Sequence, residues 1–367
     1  MMIKTYIKFG FLLTFLIILD SCRKELDIDI PNKERSIVVN GVLIPSNQIL
    51  INITRSTHVL DDVIYDTIKK VNVTISENNN LTDSLINYGN GYHILNNIIP
   101  ESGNTYSITV TAPDFKTVAS EFTMPQPVEI SSFDSSTVFL NEDDNEIKYY
   151  YEILFQDPPG ERNYYAFDLI QRSPYIQYFI DTITGLEYYN PFEYNPPDYY
   201  PKPIKNLKPI VEYNEYPVQI ESDEIIFDDY SQGISYSGKL FSDELFDGKK
   251  FTLRFYIRAF NYSDDYYYED PYNPYPSYDD YFKDLKSKYI AQLSSLSEEL
   301  YLYLKSYYHH NAMKNQFDEF WLENLLERRE PVPVYTNIEN GYGIFGGYSI
   351  SIDSLEVNRD LNPYYYY

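Results

Sequence analysis

The chain has 367 residues, 29 of them Lys or Arg and 55 Asp or Glu, for a formal net charge of −26 at pH 7. That charge repels nucleic acid and anionic lipid, so neither is an expected ligand. The 42 Tyr and 21 Phe exclude a disordered acidic tail, the length suggests two domains, and only 14 Gly disfavour Gly-rich phosphate loops.

The chain opens with a basic stretch containing Lys4 and Lys8, followed by an almost wholly apolar run from Phe9 to Leu19. That run is too short to cross a hydrocarbon core, which needs about 20 helical residues, but it suits the apolar region of an export signal. The next residues, Leu19-Asp20-Ser21-Cys22, resemble the lipobox of bacterial lipoproteins. The resemblance implies a signal peptide over 1–21, recognition by the peptidase through Leu19 and Ser21, and lipidation of Cys22. A covalent lipid there is the only cofactor expected. Cys22 is also the sole cysteine, and lipidation would consume a thiol that is a liability in an oxidising compartment. Residues 22–35 read as a lipidated tether in which Glu25, Asp27 and Asp29 resemble the export signal that sends Bacteroidota lipoproteins to the outer leaflet.

From 36 to 125 the pattern has period two. Ile51 and Ile53, then Val71, Val73 and Ile75, then Tyr106, Ile108 and Val110 alternate with polar residues, which puts one face of each strand on a core. Turn signals separate the runs at Pro45-Ser46-Asn47, Asn78-Asn79-Asn80, Gly89-Asn90-Gly91 and Ser102-Gly103-Asn104. About seven short strands at this spacing predict an immunoglobulin-like β-sandwich.

A larger β-rich domain is expected over 128–367. Glu146 to Phe155 reads as a strand, Asp157-Pro158-Pro159-Gly160 as a turn, and Asn163 to Arg172 as the partner strand. Ser173 to Leu207 is rich in Tyr, Pro and Asn and reads as a long excursion. Lys249 to Phe260 reads as another strand, preceded by a hairpin turn at Asp247-Gly248, and 261–282 as a second excursion. A helical region is expected over 296–328, with Ser295 and Glu298 in capping-box spacing and Leu300, Tyr303, Leu304 and Tyr307 on one face. Val334 to Ile338 then reads as a strand. A glycine-rich turn at Gly341, Gly343, Gly346 and Gly347 follows, with a closing strand through Ile352 and Asn337 as a staple of that corner. The fold class is thus all-β with one helical insertion.

Four phrases in this order resemble the Bacteroidota outer-membrane lipoprotein family catalogued as domain of unknown function 4249. They are Phe155-Gln156-Asp157-Pro158-Pro159-Gly160 with Asn163-Tyr164-Tyr165; Phe241-Ser242-Asp243-Glu244-Leu245-Phe246-Asp247-Gly248-Lys249; Leu296-Ser297-Glu298-Glu299-Leu300-Tyr301; and Glu330-Pro331-Val332-Pro333-Val334-Tyr335-Thr336-Asn337-Ile338 leading into the glycine run. The resemblance implies a lipid-anchored outer-membrane protein facing the cell exterior, often accompanied by a TonB-dependent transporter. It carries over no catalytic residues.

No HExxH, GxSxG, Walker loop or CxxC is present. His309 and His310 are adjacent, so on a helix they point about 100° apart and form no chelating pair. A non-catalytic protein without a metal site is expected. The segment Asp264 to Asp280 has the most functional character, because Tyr266, Tyr267, Tyr268, Tyr272, Tyr275 and Tyr278 offer large, rigid, amphipathic contacts. Docking to an outer-membrane β-barrel, stacking on a glycan, and a solvated tip compete as readings of it, with a glycan or a peptide as the solute. An accessory of outer-membrane assembly or secretion machinery is a further alternative. Asp66-Thr67-Ile68, Asp83-Ser84-Leu85, Asp181-Thr182-Ile183 and Asp353-Ser354-Leu355 resemble an O-glycosylation pattern of Bacteroidota.

Overall fold

The computed structural model describes residues 34–58, 66–95, 98–141, 146–188, 207–222, 224, 226–227, 239–260, 285–319 and 332–357. Leu19, Ser21, Cys22, the six tyrosines of the second excursion and residues 320–328 of the expected helical region lie outside them.

The described residues are all-β with one α-helix toward the C-terminal end, as the periodicity predicts. Nine strands come from the first part: β1 (Ile37–Leu43), β2 (Ile49–Arg55), β3 (Asp66–Thr67), β4 (Asn72–Glu77), β5 (Asn80–Ser84), β6 (Ile86–Gly89), β7 (Tyr92–Leu95), β8 (Thr105–Thr111) and β9 (Val118–Thr123). The alternation works as expected. Ile37, Val39, Ile51, Ile53, Val73, Ile75, Tyr106, Ile108 and Val110 are buried in one shared core. Strands β5-β4-β8-β9 form one sheet on this core, while β1, β2, β7 and β6 belong to the other. The turn signals hold in detail, with Asn78, Asn79, Asn90 and Gly91 at positive φ.

The remaining strands are β10 (Ile130–Asn141), β11 (Glu146–Gln156), β12 (Tyr164–Asp181), β13 (Glu187–Tyr188), β14 (Leu207–Pro217), β15 (Lys239–Ser242), β16 (Lys250–Phe260), β17 (Ser287–Leu296) and β18 (Tyr342–Val357). The order β10-β11-β16 makes a three-stranded sheet. Its inner face (Tyr151, Ile153, Phe155, Leu253, Phe255) shares a second core with Tyr165, Phe167, Leu169, Tyr289 and Leu293 of the large sheet. Burial of that aromatic and aliphatic surface stabilises the pair of sheets at roughly 25 cal/mol per Å².

The large sheet has eleven strands, and β18 ties its two halves together. β18 pairs antiparallel with β17 and parallel with β1, with Val38 opposite Tyr342 and Leu43 opposite Gly347. Helix α1 (Glu298–Glu319) covers part of the outer face, packing Leu300 and Tyr301 against Ala166, Leu240, Leu296 and Ile344.

Several expectations need correction. Residues 173–181 are not an excursion but the continuation of β12, paired with β14 from Ile170↔Pro217 to Asp181↔Leu207. Tyr175, Ile176, Tyr178, Phe179 and Ile180 favour extended backbone. Pro174 is tolerated because it lies past the end of β17, where one flank of β12 needs no donor. Asn163–Arg172 is not the partner of β11. The turn at 157–163 switches sheets, and β11 pairs with β10 and β16 instead. Asp247-Gly248 likewise turns between sheets rather than closing a hairpin, since β15 pairs with β12 and β16 with β11.

Leu296 and Ser295 belong to β17, so the helix starts later than expected. Its cap is Ser297, whose Oγ accepts the Leu300 N–H at 3.3 Å. Residues 334–338 form no strand, and the expected glycine turn lies largely within β18. Only Gly343 of these four glycines has positive φ (+104°), and a Cβ there would lie 2.0 Å from the Val39 carbonyl oxygen. At Gly347 a Cβ would meet Phe122 at 2.6 Å, so the glycines serve close approach of β18 to β1 and the first core. Asn337 does staple the corner: its Nδ2 donates to Phe345 O at 2.7 Å and its Oδ1 accepts Phe345 N–H at 3.0 Å.

Candidate functional site

Strand direction gives the molecule two ends. β11 runs away from its Glu146, which faces Phe260 at the end of β16. β12 runs back the other way, and its Arg172 lies opposite Lys288 near the start of β17. Ser287 in turn faces Val357, the last residue of β18. Phe260, Ser287, Val357 and the 173–181 extension of β12 therefore share one end. These are the points where the Tyr-rich segments 261–284 and 358–367 join the described fold. The first described residues, 34–36, lead into β1 beside Tyr342, at the other end of the 16-residue strand β18. At about 3.3 Å per residue, roughly 50 Å separates the two ends.

A second cluster lies where β11, β12, β15 and β16 meet. Asp157 and Asp243 are buried and Asp247 is exposed, and one carboxylate oxygen from each lies within 4.8 Å of the others. Asp157 accepts the Tyr165 hydroxyl at 2.5 Å and the Gly248 N–H at 2.8 Å. Asp243 Oδ2 accepts the Asn163 N–H at 2.9 Å, and Asp247 Oδ1 accepts the Gly160 N–H at 3.0 Å. Burial raises the pKa of Asp157, against the lowering effect of the Tyr165 and Gly248 hydrogen bonds. Burial, followed by the hydrogen bond to Asp157, pushes the Tyr165 hydroxyl well above its usual range. The oxygen spacing would suit a hard cation such as Ca²⁺. Each carboxylate is nevertheless engaged by the chain's own donors, and the arrangement clasps two sheet-switching turns together. Two phrases that the sequence presents some eighty residues apart meet here. Each shows an Asp beside Pro or Gly turn residues, but their meeting depends on the β12–β15 pairing.

The hydroxyl residues of the four glycosylation-like phrases are spread over the surface. Thr67, Ser84, Thr182 and Ser354 are all exposed, in strands or at a turn. His310 Nδ1 lies 2.8 Å from the Val332 carbonyl, and His93 is buried with Nδ1 3.1 Å from Gly91 O. Burial lowers the His93 pKa, against the raising effect of the hydrogen bond to Gly91. No helix among the described residues is long and apolar enough to cross a membrane.

Sequence reasoning passed over one group entirely. Gln171 Nε2 donates to Ser173 Oγ at 2.7 Å, and Ser173 Oγ lies 3.3 Å from Ser287 Oγ. All three are buried between the sheets, at the end where the Tyr-rich segments join. The signal was available, since these polar residues occupy the inward phase of strands that are otherwise apolar. Comparison with curated proteins finds no match. The profile of the family described as Domain of unknown function (DUF4249) matches residues 23–352, and the chain belongs to that family.

Proposed function

We propose that this protein is a lipid-anchored, non-catalytic subunit that works beside an outer-membrane β-barrel, a TonB-dependent transporter, on the outside of the cell. The acyl chains sit on Cys22 and residues 23–35 form the tether. Two features of the N-terminal region support the anchor: the Leu19-Asp20-Ser21-Cys22 phrase, and a family match that begins at residue 23, directly after Cys22.

The observation that carries the reading is the opposition of the two ends. The chain enters the fold beside Tyr342, and the Tyr-rich segments join it some 50 Å away beside Phe260, Ser287 and Val357. A protein held at its entry end would present Tyr266, Tyr267, Tyr268, Tyr272, Tyr275 and Tyr278 away from its own lipid. There they can meet the long extracellular loops of a barrel, or solute arriving from outside. Tethering keeps the partner at high effective concentration without a large fixed interface.

The test is extraction of tagged protein from its native membrane in mild detergent, followed by mass spectrometry. A TonB-dependent transporter in stoichiometric amount is the expected result, lost on deletion of 264–280 while the melting temperature holds. Recovery of assembly or secretion proteins in its place, or of the lipoprotein alone after crosslinking, sinks the transporter assignment. Cys22→Ala should move the protein out of the membrane fraction, and retention there would sink the anchor.

A further inference from the structure

The inward phase of β12 reads Tyr165, Phe167, Leu169, Gln171, Ser173, and that of β17, approached from the same side, reads Ser295, Leu293, Ala291, Tyr289, Ser287, with Ser295 satisfied by the Val128 N–H. Both strands are apolar through most of the core and turn polar at the same end without becoming exposed. Gln171 is 0% exposed, Ser287 1% and Ser173 5%. The facing sheet changes in step. Tyr151 packs its ring edge-on against Tyr289, 5.3 Å between centroids, and Tyr149, also buried, lies one row nearer the end.

A core needs none of this polarity. Leu169 and Ala291 fill the neighbouring row, and a leucine at 171 would pack without a hydrogen-bond requirement. The chain instead buries an amide whose Nε2 is satisfied by Ser173 and whose Oε1 has no hydrogen-bond partner. A buried carbonyl left unpaired costs about 1–3 kcal/mol, and such groups are rare in folded proteins. The orphan oxygen calls for a donor from outside the chain.

We propose that this end of the inter-sheet core binds an uncharged, hydroxylated small molecule of the hexose class, with Gln171 Oε1 accepting a hydrogen bond from a ligand hydroxyl. Ser173 and Ser287 supply hydroxyls that both donate and accept, while the rings of Tyr149, Tyr151 and Tyr289 supply faces and edges for the C–H surface of a sugar. None of these side chains is a Lys, Arg, Asp or Glu, so nothing in the group neutralises a charged ligand, and the net charge of −26 further disfavours an anion. The inference stands apart from the proposed barrel partner, because it concerns binding by this chain alone.

The experiment is calorimetric titration and thermal melting of the detergent-solubilised full chain with D-glucose, D-galactose and D-mannose, with D-glucuronate as the charged control. At least one neutral hexose should bind and raise the melting temperature, and glucuronate should do neither. Gln171→Leu should melt higher than the parent without ligand and bind that hexose at least about tenfold more weakly, the loss of one buried hydrogen bond. Should that variant fail to fold, Ser173→Ala takes its place and should also weaken binding. The proposal is overturned if no neutral hexose binds, if glucuronate binds as well, or if affinity survives the substitution. A crystal structure grown with the hexose that shows a lone water on Gln171 Oε1 overturns it too.

Discussion

Asp168 sits on the outer face of β12, opposite Gln292 of β17, with Ile352 of β18 next in the row. It is half-buried, and burial alone pushes its pKa from 3.8 up to about 6. Among the described residues no hydrogen bond or ion pair to it offsets that effect, and the Tyr348 hydroxyl, pushed up first by its own burial, is raised further by the Asp168 charge. A carboxyl whose folded pKa is raised binds its proton more tightly in the fold than in the unfolded chain. Its contribution is fully present below pH 3.8, is lost as the pH rises through about 6, and stays lost above. At about 1.4 kcal/mol per pH unit, the gap is worth at most roughly 3 kcal/mol. Asp168→Asn keeps the shape and removes the ionisation. It should therefore stabilise the protein by up to ~3 kcal/mol at pH 8 and by close to nothing at pH 4. Urea unfolding of parent and variant across that range, with the slopes compared to check that both unfold alike, measures the difference directly. A stability difference of constant size from pH 4 to pH 8 would refute the argument, since it would then come from packing and not from a buried charge.

Two further substitutions test the joints of the fold. Gly343→Ala forces a side chain onto a backbone at φ +104° with its Cβ 2.0 Å from Val39 O, so it should cost about 3 kcal/mol or more and loosen the β1–β18 pairing. Unfolding curves give the cost, and amide exchange at Val38–Leu43 reports the pairing. Asp157→Asn should cost about 1–3 kcal/mol, because it weakens the acceptor shared by the Tyr165 hydroxyl and the Gly248 N–H. A variant as stable as the parent would show that the clasp contributes nothing.

The parts of this fold that were legible from sequence are those that local chemistry decides. Ile37 and Val39, or Tyr106, Ile108 and Val110, alternate because each strand presents one face to a core, and the period is visible whatever the partner. Asn78-Asn79 and Asn90-Gly91 announce turns because few other residues accept their backbone angles. The errors fall where a distant residue decides. Gly343 and Gly347 look like a turn until Val39 and Phe122 come against them. Ser295 has the spacing of a cap, but β17 runs through it to pair with β12, and the cap passes to Ser297. Tyr175 to Ile180 look broken by Pro174 until β14 pairs along them. The candidate sites divide in the same way. Asp157 and Asp247 of the clasp stand beside the turn residues Pro158 and Gly248, whereas Gln171 shows its oddity only when its strand is known to face inward.

The parallel pairing of β1 with β18 bears on when this protein can fold. Val38 meets Tyr342 across about three hundred residues of intervening chain, among the longest loop closures the sequence permits. Contacts of such separation form slowly, and a sheet that waits for β18 leaves β1 with only one flank paired until the chain has been made that far. For a chain that must cross a membrane unfolded, as the proposed leader requires, the delay is useful. With the proposed leader, the early strands could be made and exported before the strand that locks them together exists, and closure of the large sheet would fall after translocation.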